Sequence, residues 1–220
     1  MKKEYKGRAN INLYNCDNME FMKGLPDNYY DLAIVDPPYG IERFKKVSEK
    51  DLLTKSVHAK RFQNMGLVND NKPLQEYWDE LFRITKNQIV WGANNFTMPQ
   101  SEYFLIWDKK QAMPNFARCE YAWVSVGLKT PAKICEHSIH IHNQTEKIHP
   151  TQKPIYLYKY ILENYCKQGD KILDTHGGSM SIAVACWDYG FDLDLCELDK
   201  EYFDKGVERF ENHIKQQKLF

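Results

Sequence analysis

Hydrophobic positions follow two rhythms along the chain. Short apolar runs occupy Asn10–Tyr14, Asp31–Val35, Gln88–Trp91, Tyr103–Trp107, Tyr121–Val126, Lys171–Leu173 and Phe191–Cys196. Most are brief and rich in Ile, Val, Leu or aromatics, as strands covered on both faces require. Between them the period changes to that of a helix. Leu74, Tyr77, Trp78, Leu81 and Phe82 follow i, i+3, i+4, i+7, i+8 spacing behind Pro73, and Tyr158, Ile161, Leu162 and Tyr165 repeat the pattern behind Pro154. Gly169 is placed to end that second helix. Phe203, Val207, Phe210 and Ile214 mark a last amphipathic helix. In the C-terminal half, strand and helix alternate, which predicts an α/β fold with a mostly parallel sheet.

One long stretch, Gly40 to Asn71, carries neither rhythm. Loops of that length tend to serve a function or lack order. With no repeat or low-complexity linker, 220 residues fit one domain spanning 1–220. A hydrophobic share of 43% and an aromatic share of 14% exclude an intrinsically disordered chain. No apolar run reaches membrane-span length, and Met1-Lys2-Lys3-Glu4-Tyr5 lacks the apolar core of a signal peptide, so a cytoplasmic protein with no membrane partner is expected.

Charge balances at 30 basic and 30 acidic side chains, so its distribution carries more information than its sum. Ile41 to Asn64 holds seven Lys/Arg against three acids; Asp188 to Glu211 holds nine acids against three bases. The basic stretch 41–71, with Arg43, Lys45, Lys46, Lys60 and Arg61, is a candidate phosphate-contacting loop, weighed against an ordinary solvated surface. Six cysteines without a C-x-x-C pair read as reduced. Cys135, Glu136, His137, His140, His142 and His149 cluster in sequence, His140 and His142 on an extended segment. Zinc sites show tighter paired spacing, so a polar surface segment is preferred and no metal is assigned.

Two strand ends carry chemistry. After Asp31–Val35 comes Asp36-Pro37-Pro38-Tyr39, an acid, two rigid prolines and an aromatic at the edge where open α/β sheets bind ligands. The prolines supply no N–H, so the loop offers carbonyls and a carboxylate to a donor such as an amino group. Tyr39 adds a flat surface for a planar base. A plain strand-ending turn is the alternative. The second end is Lys171-Ile172-Leu173-Asp174 followed by Thr175-His176-Gly177-Gly178-Ser179, a helix through Ile182, Ala183 and Ala185 ending near Gly190, and a strand ending in Glu197. A glycine turn followed by an acid about 20 residues on is the layout of a nucleoside-binding half-fold, with Glu197 placed for ribose hydroxyls. The missing G-x-G-x-x-G argues against a nicotinamide dehydrogenase.

Asp36–Tyr39 resembles the catalytic motif of the DNA amino-methyltransferases. His149-Pro150-Thr151-Gln152-Lys153-Pro154 and Asp174–Ser179 resemble that family's segments before and within the cofactor loop. Asn15-Cys16-Asp17 resembles a further motif whose acid meets the adenine end of S-adenosylmethionine, and Trp91–Phe96 and Trp107-Asp108-Lys109 sit where the family has strand ends. The likeness runs from about Asn12 to Phe210, and the catalytic motif precedes the cofactor motif, the permuted order of the β class.

The resemblance implies a Rossmann-like S-adenosylmethionine-dependent methyltransferase fold of about seven strands. It implies Asp36, Pro37, Pro38 and Tyr39 as catalytic, with the target base flipped out of double-stranded DNA. It implies Asp17, His149, Thr151, Lys153, Asp174, Gly177, Gly178, Ser179 and Glu197 as cofactor-binding, His149, Thr151 and Lys153 near the methionine end. Adenine N6 is favoured by Asp at the head of the motif. Cytosine N4, an RNA or protein amide, and a silent nucleic-acid-binding subunit are the alternatives. The chain departs from the family at Thr175-His176, where Pro-Phe is usual, and at Met180, where a small residue is usual. It leaves little room for a target-recognition domain beyond 41–71 and 129–147. A homodimer and a cognate restriction enzyme, or none in an orphan enzyme, stay open as partners.

Overall fold

The computed structural model describes residues 1–40, 71–143, 145 and 147–217. The basic stretch with Arg43, Lys45, Lys46, Lys60 and Arg61 lies outside the described residues.

Strand β3 (Tyr30–Val35) sits at the centre of a sheet and shows why the sequence folds as it does. Leu32, Ala33, Ile34 and Val35 are each at most 1% exposed, and successive side chains enter different cores. Leu32 and Ile34 join one apolar cluster, Ala33 and Val35 the other. A strand sandwiched between two layers cannot show polar alternation, hence its unbroken apolar run. Under one face lie α1 (Asn18–Lys23) and α2 (Gln75–Ile84), through Met22 and through Tyr77, Trp78, Leu81 and Ile84. Under the other lie α4 (Ile155–Tyr165), α5 (Ser181–Tyr189) and α6 (Lys200–Gln217). A short helix, α3, spans Ile139–Asn143. Leu74, the first position of the helical spacing, is the N-cap of α2 and 74% exposed.

The remaining strands are β1 (Lys2–Lys6), β2 (Asn10–Asn15), β4 (Thr85–Trp91), β5 (Phe104–Asp108), β6 (Cys119–Val124), β7 (Lys133–Glu136), β8 (Lys171–Asp174) and β9 (Asp192–Glu197). Among the described residues they form a nine-stranded sheet in the order β1-β2-β9-β8-β3-β4-β6-β5-β7, where about seven strands were expected. The pairings are parallel throughout except around β1 and β6, which run against the rest. The two unforeseen strands, β1 and β7, are edge strands with mostly exposed or half-buried positions, so they lack an apolar run. Strand β8 lies beside β3, with Leu32 opposite Ile172, although 136 residues separate the start of β8 from the end of β3 along the chain. From β3 the chain continues to β4 on one side, and from β8 to β9 on the other. This is a topological switch point, where a crevice opens outside the carboxyl ends of the strands.

Two expectations fail locally. Helix α4 stops at Tyr165 because Cys166 is already extended; Gly169 (φ +95°) belongs to the next turn, where the Asp170 carboxylate accepts from Lys167 N at 2.8 Å. His140 and His142 sit on α3, not on an extended segment. His142 is 3% exposed, with its Nε2 2.7 Å from the Gln152 carbonyl, while His140 is exposed. The segment 129–147 thus carries edge strand β7 and helix α3. No helix among the described residues is long and apolar enough to cross a membrane.

Candidate active site

A cleft of about 820 Å³ opens at the carboxyl ends of β2, β9, β8 and β3. Each strand delivers its own chemistry there. The end of β3 gives Asp36, Pro37, Pro38 and Tyr39; β8 gives Thr175 through Ser179; β9 gives Glu197; β2 gives Cys16 and Asp17. His149, Thr151 and Lys153 reach it from the segment before α4. All four expected catalytic residues thus face the same cleft as eight of the nine expected cofactor residues. The exception is Asp174. At 2% exposed it stands behind the wall and accepts from His176 N at 2.9 Å, so it shapes the turn instead of lining the cleft.

At the β3 end, the Asp36 carboxylate is held on both oxygens. Tyr39 OH donates to Oδ1 at 2.6 Å and the Lys153 ammonium donates to Oδ2. Lys153 is itself enclosed, 4% exposed, with Glu120 Oε2 at 3.4 Å and the Trp91 ring centroid at 5.5 Å. Glu120 pairs in turn with Lys109 at 2.6 Å. Burial alone would strip the proton from Lys153, but Asp36, Tyr39 and Glu120 outweigh it and hold the ammonium well above its ordinary range. Burial likewise pushes Glu120 up, and Lys153 and Lys109 more than reverse it. The result is a chain of alternating charge, Asp36–Lys153–Glu120–Lys109, running away from the cleft.

Tyr39 is positioned by a missing side chain. Gly92, just past β4, has φ +64°, and a Cβ there would lie 2.2 Å from the Tyr39 ring. The ring also meets Phe96 edge-on, centroids 6.1 Å apart.

The other end of the cleft uses backbone instead of cations. Glu197 accepts from Gly178 N at 2.7 Å and Asp199 N at 2.8 Å, and burial raises its pKa. Asp174 is pushed up to about 8, again by burial. Gly177 packs so closely that an added Cβ would meet Leu195 at 2.3 Å, and Gly178 holds φ +50° beneath the His149 ring. That ring rests edge-on against Tyr202, centroids 4.4 Å apart, and burial depresses its pKa to about 4. Ser179 is buried, its Oγ 3.1 Å from Ser181 Oγ and its carbonyl accepting from Arg209 at 2.7 Å. Thr151 Oγ1 lies 3.1 Å from His149 Nδ1. Asp17 caps α1, accepting from Met19 N at 2.8 Å and Glu20 N at 3.1 Å, and its Oδ2 makes neither of these bonds.

The two departures from the family pattern resolve structurally. Thr175 and His176 join a polar cluster, with Tyr77 OH 2.7 Å from Thr175 Oγ1 and Asn18 Nδ2 3.2 Å from His176 Nε2. Met180 is fully buried, turned away from the cleft against Gly206, where a Cβ would come within 2.8 Å. Sequence reasoning missed Glu120, Gly92 and Tyr77. For Glu120 the available signal was a lone acid in the otherwise apolar and aromatic run Glu120-Tyr121-Ala122-Trp123-Val124. Among the described residues no three His, Cys, Asp or Glu side chains converge to hold a metal.

A family model described as DNA methylase matches residues 64–208. The type II methyltransferase M2.MboI of Moraxella bovis is 24% identical, covering 94% of this chain and 92% of that protein. Among solved structures, the complex of M1.HpyAVI with SAM superposes with a TM-score of 0.55 at 18% identity, covering 90% of this chain and 98% of that one. The cytosine-N4-specific PvuII DNA methyltransferase gives 0.57 at 13% identity, covering 94% and 92%. At such identities these structural likenesses speak for the fold.

Proposed function

The chain belongs to the N6/N4 DNA methylase family, and from that premise we propose that it methylates the N6 amine of adenine in double-stranded DNA, using S-adenosylmethionine. The observation that carries this is one cleft shared by an acceptor-only loop, Asp36 to Tyr39, and a glycine turn backed by an acid, Gly177 to Glu197.

The residues present suit that cofactor. It supplies a methyl group on a cationic sulfur. Among the described residues, five carboxylates (Asp17, Asp36, Glu76, Glu197, Asp199) line the cleft against three ammoniums (Lys23, Lys153, Lys200). His149 and His176, both held to about 4 by burial, add no positive charge at pH 7. A cleft of net negative charge favours a cation. Glu197 would take the ribose hydroxyls, Asp17 the adenine end, and Gly177 and Gly178 the close backbone approach, with His149, Thr151 and Lys153 at the methionine end.

At the β3 end, the Asp36 carboxylate and Pro37 carbonyl would accept the two hydrogens of an exocyclic amine. Accepting both hydrogens draws electron density onto the nitrogen and lets it pyramidalise, so its lone pair leaves the ring conjugation and turns toward the cofactor side of the cleft. As the N–C bond forms the S–C bond breaks, and the extra proton leaves the nitrogen toward the Asp36 carboxylate. Each carboxylate oxygen of Asp36 retains acceptor capacity beside its present donor. Lys153 holds the carboxylate in place through Oδ2, and Tyr39 offers its face to the base. An acid at position 36 favours adenine over cytosine, and the type II names of the relatives suggest a modification role.

The test is direct. The protein is incubated with labelled S-adenosylmethionine and unmethylated duplex DNA, RNA or peptide, and digested products are identified by mass spectrometry. N6-methyladenine in DNA is expected. Label found only as N4-methylcytosine, or only in RNA or peptide, overturns the proposal.

A further inference from the structure

The loop joining β5 to β6 takes no part in the cleft, yet it leaves the sheet at the same edge. Strand β5 is antiparallel to β6, which is antiparallel to β4, so β5 points the same way as β3 and its following loop emerges at the same edge of the sheet as Asp36, three strands along. The charged chain gives an independent measure of that closeness. Lys109 at the loop's start pairs with Glu120 just past its end, Glu120 lies 3.4 Å from Lys153, and Lys153 holds Asp36.

The loop is built, not slack. Lys109 N donates to the Arg118 carbonyl at 3.0 Å and closes its base. Gln111, only 7% exposed, donates from Nε2 to the Ala117 carbonyl at 2.7 Å. Phe116 N donates to the Met113 carbonyl at 3.2 Å, making a tight turn through Pro114 and Asn115. This scaffold carries two large apolar side chains outward: Met113 is 56% exposed and Phe116 64%. A single exposed apolar residue needs no explanation. Two of them, on one pinned turn at the cleft's edge of the sheet, leave apolar surface in water with nothing in the fold to gain from it. Lys109 pairs with Glu120, and Lys110 with Asp108 and Glu136, while exposed Arg118 gives this acid-free loop a cation to offer a polyanion.

We propose that the Met113–Phe116 turn is a wedge that enters the duplex base stack where the target base has swung out, with Arg118 against the adjoining phosphates. This rests on the reading of the cleft as a site for a base drawn from duplex DNA. Extrusion removes stacking and pairing at one step, and an apolar side chain inserted there replaces part of the lost contact. A rigid turn loses little conformational freedom in doing so.

The experiment uses the full chain and Phe116→Ala, Met113→Ala/Phe116→Ala and Phe116→Trp. A duplex bearing a sequence that wild-type protein methylates is compared with the same duplex carrying an abasic site opposite the target, where the base needs no unpairing. On the paired duplex the alanine variants should lose about 30-fold or more in kcat/KM, and on the abasic duplex less than about threefold. Phe116→Trp should stay near wild type, and cofactor binding and Tm should not move in any variant. Equal losses on both duplexes, or no loss on the paired one, overturn the wedge while leaving the cleft's assignment standing. Sedimentation showing that the alanine variants break a wild-type dimer overturns it in favour of a second copy of the chain. A wild-type protein that methylates no duplex DNA removes both readings together.

Discussion

The two ends of the cleft hold their carboxylates by opposite means. At the β3 end Asp36 is held by a side-chain cation, Lys153, itself shared with Glu120. At the β8–β9 end Asp174 and Glu197 are held by backbone amides of the glycine turn and its neighbours, with no cation bonded to either among the described residues. An acid paired with an ammonium is held firmly, but its placement depends on one residue. An acid held by amides survives side-chain changes around it, but burial lifts its pKa, to about 8 for Asp174. One end is therefore chemically strong and mutationally fragile, the other the reverse.

The contrast is most sharply broken by removing the acceptor itself. Asp36→Ala should lower the methyl-transfer rate by about 10³-fold or more, with the cofactor dissociation constant within about threefold of wild type. Near-normal turnover would mean that the catalytic end has been misassigned. Lys153→Met comes next, because it leaves Asp36 and Glu120 facing each other without their cation. Removing one partner of such a buried pair costs about 3 kcal/mol, readable by chemical denaturation, and activity should fall about 100-fold. If Lys153→Met were as stable as wild type, the charged chain would not be what holds this end.

At the other end, Gly177→Ala places a Cβ 2.3 Å from Leu195 and 3.2 Å from the Cys196 carbonyl. Cofactor affinity should weaken about tenfold while kcat at saturating cofactor changes less than about threefold. Equal damage to both would show that the ends are not separable. The smallest effect is one of pH. The folded protein keeps a proton on Asp174 up to about pH 8, whereas the unfolded chain gives it up near the model-compound value of 3.8. Between those values the folded state binds more protons, so Asp174 costs stability as pH rises through that window. Asp174→Asn retains an acceptor for His176 N and removes the titration. Its Tm should exceed that of wild type by a few degrees at pH 9 and not at pH 4. Parallel Tm curves across that range would refute the raised pKa.

Much of this was legible in the sequence because burial leaves a written record. Strands β3, β4, β8 and β9 are covered on both faces and so read as apolar runs, and the acids that matter end β8 and β9 or directly follow β3. The segment from His149 to Lys153 could be placed near the cofactor by its motif, but not near Asp36. That contact joins residues 117 positions apart, and nothing local signals it. The edge strands β1 and β7 escaped notice because one half-buried face does not impose a pattern on five or four residues. Gly169 misled for a different reason. Glycine marks a left-handed backbone, and here the nearest such position belongs to the turn beyond the helix.

Gly92 has a consequence for how the protein can change over generations. Its missing Cβ leaves the space in which the Tyr39 ring lies, and its φ of +64° is one that other residues adopt with strain. Two constraints therefore act on one codon, and only one of them depends on position 39. A lineage that first exchanged Tyr39 for a smaller residue would relieve the collision, yet any replacement of Gly92 would still meet the backbone cost. The reverse order, Gly92 first, meets both at once. Substitutions at these two positions should therefore be accepted in one order far more readily than in the other, and the tyrosine is kept partly by a glycine more than fifty residues away.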